Sequence, residues 1–236
     1  MVVLRSLLFA LLQAVITPVF CCIVLFTFPF NQFFRFRVIS SWSRLFITLS
    51  RVICGIRYRV KGIENIPDEP CIVMSKHQSA WETLAFQVIF PPQVQVIKKE
   101  LLRIPFFGWG LALLSPIAID RGAGSRALRQ IEEQGIKSLK RGFWVIVFPE
   151  GTRMEPGARG KYLPGGAWLA ARSGALVLPV ALNSGEMWAR NAFLKYPGTI
   201  TVSIGKPIDP AGMKADEINS RVESWIEQEM AHLRSP

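Results

Sequence analysis

Residues 71–82 read CIVMSKHQSAWE: a short β-rich run, Cys71–Ser75, then a polar break at Lys76–His77, then the start of a helix. Ser79-Ala80-Trp81-Glu82 is S-x-x-E, a capping box in which a hydroxyl and a carboxylate take up the first unpaired N–H groups of a helix. The helix-compatible stretch Trp81–Ile89 follows from it. Outward from this strand-to-helix passage the same alternation repeats. Further β-rich runs lie at Ile56–Val60, Val94–Ile97, Pro116–Ile119, Phe143–Phe148, Ala175–Leu182 and Thr199–Ile204. Helix-compatible stretches lie at Leu101–Leu113, Ser125–Lys140, Ala167–Arg172 and Ala215–Leu233. The pattern predicts an α/β fold with a largely parallel central sheet flanked by helices.

The chain has 236 residues, room for one such domain and a short accessory segment. Half of the residues are hydrophobic and the mean hydropathy is +0.28, which excludes a disordered protein and is high for a purely soluble enzyme. Sixteen Phe and seven Trp are too many for one small core to hide. Cys21, Cys22, Cys54 and Cys71 show no C-x-x-C spacing and there are only two His, so neither a zinc site nor a disulfide scaffold is expected.

The net charge of +11 is unevenly placed. Eight of the 28 basic residues precede the first acid, Glu64, and the rest of the chain has a net charge of only +3. A nucleic-acid binder would present its cations on a soluble face. Here they flank the most apolar part of the chain, an arrangement suited to an anionic membrane surface, at about 1 kcal/mol for each cation near the headgroups. No nucleic-acid partner is expected.

That apolar part runs from Ser6 to Phe30, 25 residues without a charge. About 20 suffice to cross a bilayer. Pro18 falls inside the run and is a potential kink. A cleaved signal peptide is disfavoured by the length and by an end at Phe-Pro-Phe; a buried core helix is the remaining alternative. Residues 37–53, RVISSWSRLFITLSRVI, place Arg37, Arg44 and Arg51 on one helical face, with Val38, Trp42, Leu45, Phe46 and Leu49 on the other. A basic, Trp-containing amphipathic helix suits the plane of a membrane interface, and a surface helix packed on the domain has the same pattern. The chain therefore divides into an N-terminal two-helix membrane-associating motif, residues 1–54, and an α/β domain, residues 55–236. Spanning the bilayer and dipping into one leaflet both fit residues 1–54. The arginines place the following domain on the cytoplasmic side, at the cell inner membrane.

Three strands lead into residues with chemical capacity: CIVMS into Lys76–His77, PIAI into Asp120–Arg121, and FWVIVF into Pro149-Glu150-Gly151-Thr152-Arg153. In an open α/β sheet ligands bind at the carboxyl ends of parallel strands, so the three segments are expected to share one rim. A side chain of the histidine type is the usual choice for a general base near neutral pH, so His77 is the candidate. Glu82 lies five residues on and, folded back by the capping box, would fix the imidazole tautomer and stabilise the imidazolium. A capping-only Glu82 and a structural His77 are the plain alternatives. Gly151 permits a tight turn, and Arg153 offers a forked donor suited to phosphate. Arg121 and Lys98–Lys99 are further cations; a surface turn with an ordinary ion pair is the alternative for FPEGTR.

The order of these segments resembles the four blocks of the glycerolipid acyltransferase family, specifically the bacterial 1-acyl-glycerol-3-phosphate acyltransferases. The first block is matched by His77-Gln78-Ser79-Ala80-Trp81-Glu82. The second resembles Lys98-Lys99-Glu100-Leu101, then Ile104-Pro105-Phe106-Phe107-Gly108 and Ile119-Asp120-Arg121. The third is Phe148-Pro149-Glu150-Gly151-Thr152-Arg153, and the fourth resembles Leu176-Val177-Leu178-Pro179-Val180. The likeness covers residues 60–185. It departs from the family pattern where Lys76 replaces the usual Asn, where Glu82 replaces the commoner Asp, and where Leu163-Pro164-Gly165 precedes Gly166-Ala167 without the frequent Lys.

The resemblance implies transfer of a fatty acyl group from acyl-CoA or acyl-carrier protein to the sn-2 hydroxyl of lysophosphatidic acid, giving phosphatidic acid. It implies His77 as general base oriented by Glu82. Arg153, Arg121 and Lys98 would hold the glycerol phosphate, and Glu150, Gly151 and Thr152 would position the acceptor. It implies no metal and no cofactor beyond the acyl donor as co-substrate, and anionic membrane lipid as a further partner. The alternatives are a related acyltransferase acting on glycerol 3-phosphate or another lyso-lipid, and a non-enzymatic adaptor that binds anionic lipid.

Overall fold

The computed structural model describes residues 1–234, without the side chains of Arg121 and Arg234. Seven strands form one sheet: β1 (Ile56–Lys61), β2 (Ile72–Ser75), β3 (Gln93–Lys98), β4 (Ile117–Ile119), β5 (Trp144–Val147), β6 (Val177–Leu182) and β7 (Gly198–Ile204). Their order is β1-β7-β6-β2-β5-β3-β4. Every neighbouring pair is parallel except β6 and β7, so the sheet is the largely parallel one expected, with β1 and β7 running against the other five. The expected rim strands β2, β5 and β4 all run the same way.

The central strands are buried on both faces, and their side chains alternate between two cores. Ile72 and Met74 of β2 and Val145 and Val147 of β5 face one core; it also holds residues of α5 (Ser125–Lys140), α6 (Gly165–Ser173) and α8 (Ala215–Arg234). Val73, Trp144 and Ile146 face the other, with α3 (Trp81–Ile89). The stretch 101–113 is not one helix. A 3-10 turn at Lys99–Arg103 is followed by α4 (Phe107–Leu113), because Pro105 keeps Ile104 extended. Between them Phe106, at φ 61°, forms a γ-turn closed by Phe107 N–H donating to Pro105 O at 2.7 Å. A one-turn helix, α7 (Ser184–Met187), follows β6 without any periodicity to announce it.

At the N-terminus, α1 (Val2–Leu25) and α2 (Gln32–Cys54) form an antiparallel hairpin, with Cys54 near the start of α1. α1 is long and apolar enough to cross a membrane and continues as one helix through Pro18. It is tied to the α/β body at both ends. Ser6 accepts a hydrogen bond from Lys195 N–H at 2.9 Å, Phe9 packs edge-on against Trp188, and Cys21 and Val24 are buried beside α4 and the first core. The arginine face of α2 is solvent-exposed as expected: Arg37, Arg44 and Arg51 all lie outward. Most of its apolar face is not available to a membrane, although Leu45 is exposed. Trp42, Phe46 and Ile47 are buried in the second core, and Ser43 donates to Gln87 of α3 at 3.1 Å. The longest uncovered apolar stripe belongs to α1 instead. Leu4, Leu8, Leu11, Val15, Val19 and Ile23 follow one another at helical spacing and are all exposed. Phe26, Phe28, Phe30, Phe106 and Trp109 are exposed as well.

Candidate active site

β2 delivers His77 to the rim, and the S-x-x-E segment builds the turn after it, with α3 starting at Trp81 behind Ala80 rather than at Ser79. Ser79 Oγ accepts from Trp81 N–H at 3.1 Å, and Glu82 Oε1 returns to accept from the N–H groups of Ser79 and Gln78, both at 2.7 Å. The same oxygen lies 2.9 Å from His77 Nδ1. Helix initiation and orientation of the imidazole therefore use one carboxylate. Its other oxygen accepts from Ser184 Oγ at 2.8 Å. With Glu82 wholly buried and both oxygens bonded, it has no alternative position. The His77 ring, 14% exposed, stacks on Phe148 at 4.0 Å between centroids. Nδ1 faces Glu82, which leaves Nε2 as the other ring nitrogen able to exchange a proton.

Phe148 opens the FPEGTR segment at the end of β5, the strand next to β2. The two turns are joined further: Met154 N–H donates to His77 O at 2.7 Å, and His77 N–H donates to Glu150 Oε2 at 3.1 Å. Gly151 sits at φ 66°, a backbone conformation that favours glycine, and a Cβ there would also displace the end of the Leu163 side chain. Thr152 is exposed and Arg153 half-buried beside His77's turn; Arg190 donates to Arg153 O at 3.1 Å and helps fix that backbone.

Glu150 corrects the expectation that it positions the acceptor. Its side chain is fully buried and turned away from the cleft, with Oε1 2.7 Å from Lys76 Nζ. Burial pushes its carboxyl above the ordinary range, against the opposing pull of Lys76. Lys98, at the end of β3, is exposed. At about 4.8 Å per strand it stands about 10 Å along the rim from β2. Arg121 follows β4, one strand further; its backbone forms a 3-10 turn capped by Asp120, and its side chain lies outside the described residues. Thus His77, Glu82, Gly151, Thr152 and Arg153 cluster, while Lys98 and Arg121 mark the far end of the same edge.

An apolar cavity of about 250 Å³ opens beside this cluster, lined by Val147, Phe148, Gly151, Leu128, Leu163 and Ile119 among others. Ser184 is a site element that no motif announces, whereas Lys76 and Phe148 lie inside the motif segments with no role read for them. Lys76 showed as a departure from the resembled pattern and Phe148 as the first residue of its third block.

The sequence model of the acyltransferase family matches residues 57–183. The chain is 49% identical over 208 residues to the 1-acyl-sn-glycerol-3-phosphate acyltransferase of Pseudomonas aeruginosa, covering 87% of this chain and 80% of that one. It is 30% identical over 205 residues to the enzyme of that name from Saccharomyces cerevisiae, covering 83% and 67%. The fold is similar to the crystal structure of the 1-acyl-sn-glycerophosphate acyltransferase PlsC of Thermotoga maritima. The TM-score is 0.81 and the identity 25%, with 100% of this chain and 97% of that one covered.

Proposed function

Because this chain belongs to the acyltransferase family, we propose that it is a 1-acylglycerol-3-phosphate O-acyltransferase that makes phosphatidic acid from lysophosphatidic acid. The observation that carries the mechanism is the 2.9 Å contact of His77 Nδ1 with a Glu82 carboxylate that is itself immobilised. Glu82 holds Nδ1 protonated, so Nε2 accepts the proton of the sn-2 hydroxyl as its oxygen bonds to the thioester carbonyl carbon. When the tetrahedral intermediate collapses the C–S bond breaks, and the imidazolium returns the proton to the departing thiolate. The products are the ester and a free thiol, from either acyl-CoA or acyl-carrier protein. Arg153, with Lys98 and Arg121 along the rim, meets the phosphate. The apolar cavity beside Phe148 and Gly151 receives a fatty chain.

The substrate resides in a bilayer, and the exposed apolar stripe of α1 brings the rim to it. Both ends of α1 are fastened to the body, so a helix of about 36 Å lies along the domain and enters one leaflet rather than crossing. The cationic face of α2 reads as a contact for anionic headgroups. The α/β body then works from the cytoplasmic side of the inner membrane, with residues 1–54 as its membrane unit.

The test is thiol release from acyl-CoA in the presence of lysophosphatidic acid. His77→Ala is expected to lower turnover by about 10²–10⁴-fold with the melting temperature unchanged. Near-normal turnover by folded variant would refute the assignment. An acceptor panel including glycerol 3-phosphate tests the substrate.

A further inference from the structure

Lys76 precedes His77 and faces the opposite way, into the protein, where it is fully buried. Its three ammonium protons have three acceptors: Glu150 Oε1 at 2.7 Å, Glu227 Oε1 at 2.8 Å and Ala158 O at 3.1 Å. The far anchor, Glu227 of α8, is fixed in turn by Tyr162 Oη donating to it at 3.0 Å. The near anchor, Glu150, uses Oε2 to accept from His77 N–H and Oε1 to accept from Gly160 N–H at 3.3 Å. An unbroken path therefore runs from α8 through Lys76 and Glu150 to the backbone of His77. Arg159 and Glu223 pair with each other at 2.7 Å on the solvent side of this cluster.

A lysine wholly removed from water is strongly unfavourable unless every proton is accepted and its charge is balanced. This one meets both conditions and sits beside the imidazole's own backbone. Glu82 and Phe148 fix the rotation of the ring; the N–H bond to Glu150 helps fix where the ring stands. A displacement of about 1 Å at a reacting group lowers rates by about 100-fold. We propose that Lys76 is a positioning residue for acyl transfer: anchored on α8 by Glu227, it clamps the Glu150 carboxylate that holds His77 in place. This rests on the reading of His77 as the base.

If Lys76 acts through Glu150, its loss does nothing further once Glu150 can no longer be clamped as a carboxylate. The experiment measures kcat and the KM for lysophosphatidic acid in the full chain for wild type, Glu150→Gln, Lys76→Met/Glu150→Gln and His77→Ala. The double variant removes the charges of Lys76 and Glu150 together, leaving only Glu227, which is partly solvated and still bonded by Tyr162, without its ammonium partner. The expected result is a loss of tenfold or more in kcat for Glu150→Gln with KM within threefold. The double variant is expected to be folded and within threefold of Glu150→Gln in kcat. A smaller loss in Glu150→Gln overturns the proposal, as does a change in KM beyond threefold. So does a further loss beyond threefold in the double variant, or a double variant that fails to fold where Glu150→Gln folds. Full activity in His77→Ala would instead bring down the underlying assignment of the base.

Discussion

Ser184 Oγ donates to Glu82 Oε2 at 2.8 Å, joining the start of α7 to the first turn of α3 across 102 positions of sequence. Among the described residues it is the one hydrogen bond on that oxygen, while Oε1 serves His77 and two backbone N–H groups. Without it the carboxylate can pivot about Oε1 and tilt the imidazole.

Ser184→Ala is therefore expected to lower kcat by about tenfold and leave the KM for lysophosphatidic acid unchanged. A hydrogen bond to a charged group contributes about 1.5 kcal/mol, and 1.4 kcal/mol is about a factor of ten in rate. Steady-state kinetics on the folded variant check it. A raised KM at constant kcat would place Ser184 in substrate binding instead.

Arg153→Lys keeps the charge but loses the planar fork that meets two phosphate oxygens together. The structure gives the Arg153 backbone two fixed neighbours, Met154 N–H on His77 O and Arg190 on Arg153 O, so the substitution changes the head group of the side chain more than its origin. KM for lysophosphatidic acid is expected to rise about tenfold with kcat within threefold. Kinetics against acceptor concentration decide it, and an unchanged KM removes Arg153 from the phosphate site.

All seven strands and the seam between His77 and FPEGTR were legible in the sequence, because buried parallel strands are short apolar runs and the capping box at Ser79–Glu82 is a local signal. What failed to show was non-local. Glu227 looks like one more acid on an amphipathic helix, and only the packing of α8 brings it to Lys76. Glu150 follows an apolar strand whether its carboxylate faces the cleft or the core, and sequence does not distinguish the two. The apolar face of α2 gave the right period and the wrong partner. Trp42 and Phe46 pack on the body, since a hydrophobic stripe does not say whether protein or lipid covers it.

Glu150 also gives a pH signature of stability. Its folded-state pKa is raised by burial, so the folded protein holds that proton more tightly than the unfolded chain. Stability then falls as pH rises from the ordinary carboxylate value through the raised one, because the unfolded state binds fewer protons in that window. Glu150→Gln removes the titration. The difference in melting temperature, variant minus wild type, is expected to grow in the variant's favour as pH increases across that window and then level off. A difference independent of pH would show that Glu150 titrates alike in both states.

The exposed stripe of α1 predicts how the protein meets a bilayer. Deleting residues 1–54 would be a poor probe, because Phe9, Trp42, Phe46 and Ile47 are part of the second core and their loss would strip it. Leu8, Leu11 and Val15 are exposed, so replacing all three by Gln leaves the packing in place. Each buried aliphatic side chain contributes about 2 kcal/mol when it leaves water. Three together are expected to weaken partitioning onto vesicles by at least 100-fold while the melting temperature in detergent stays within a few degrees. Cosedimentation with vesicles containing anionic lipid measures the first and thermal unfolding the second. Turnover should fall for long-chain acceptors presented in vesicles and recover for short-chain acceptors in solution, since His77 and Glu82 are untouched. If the variant stays bound to vesicles, α1 does not supply the membrane contact, and the exposed aromatics Phe106 and Trp109 after β3 become the surface to substitute.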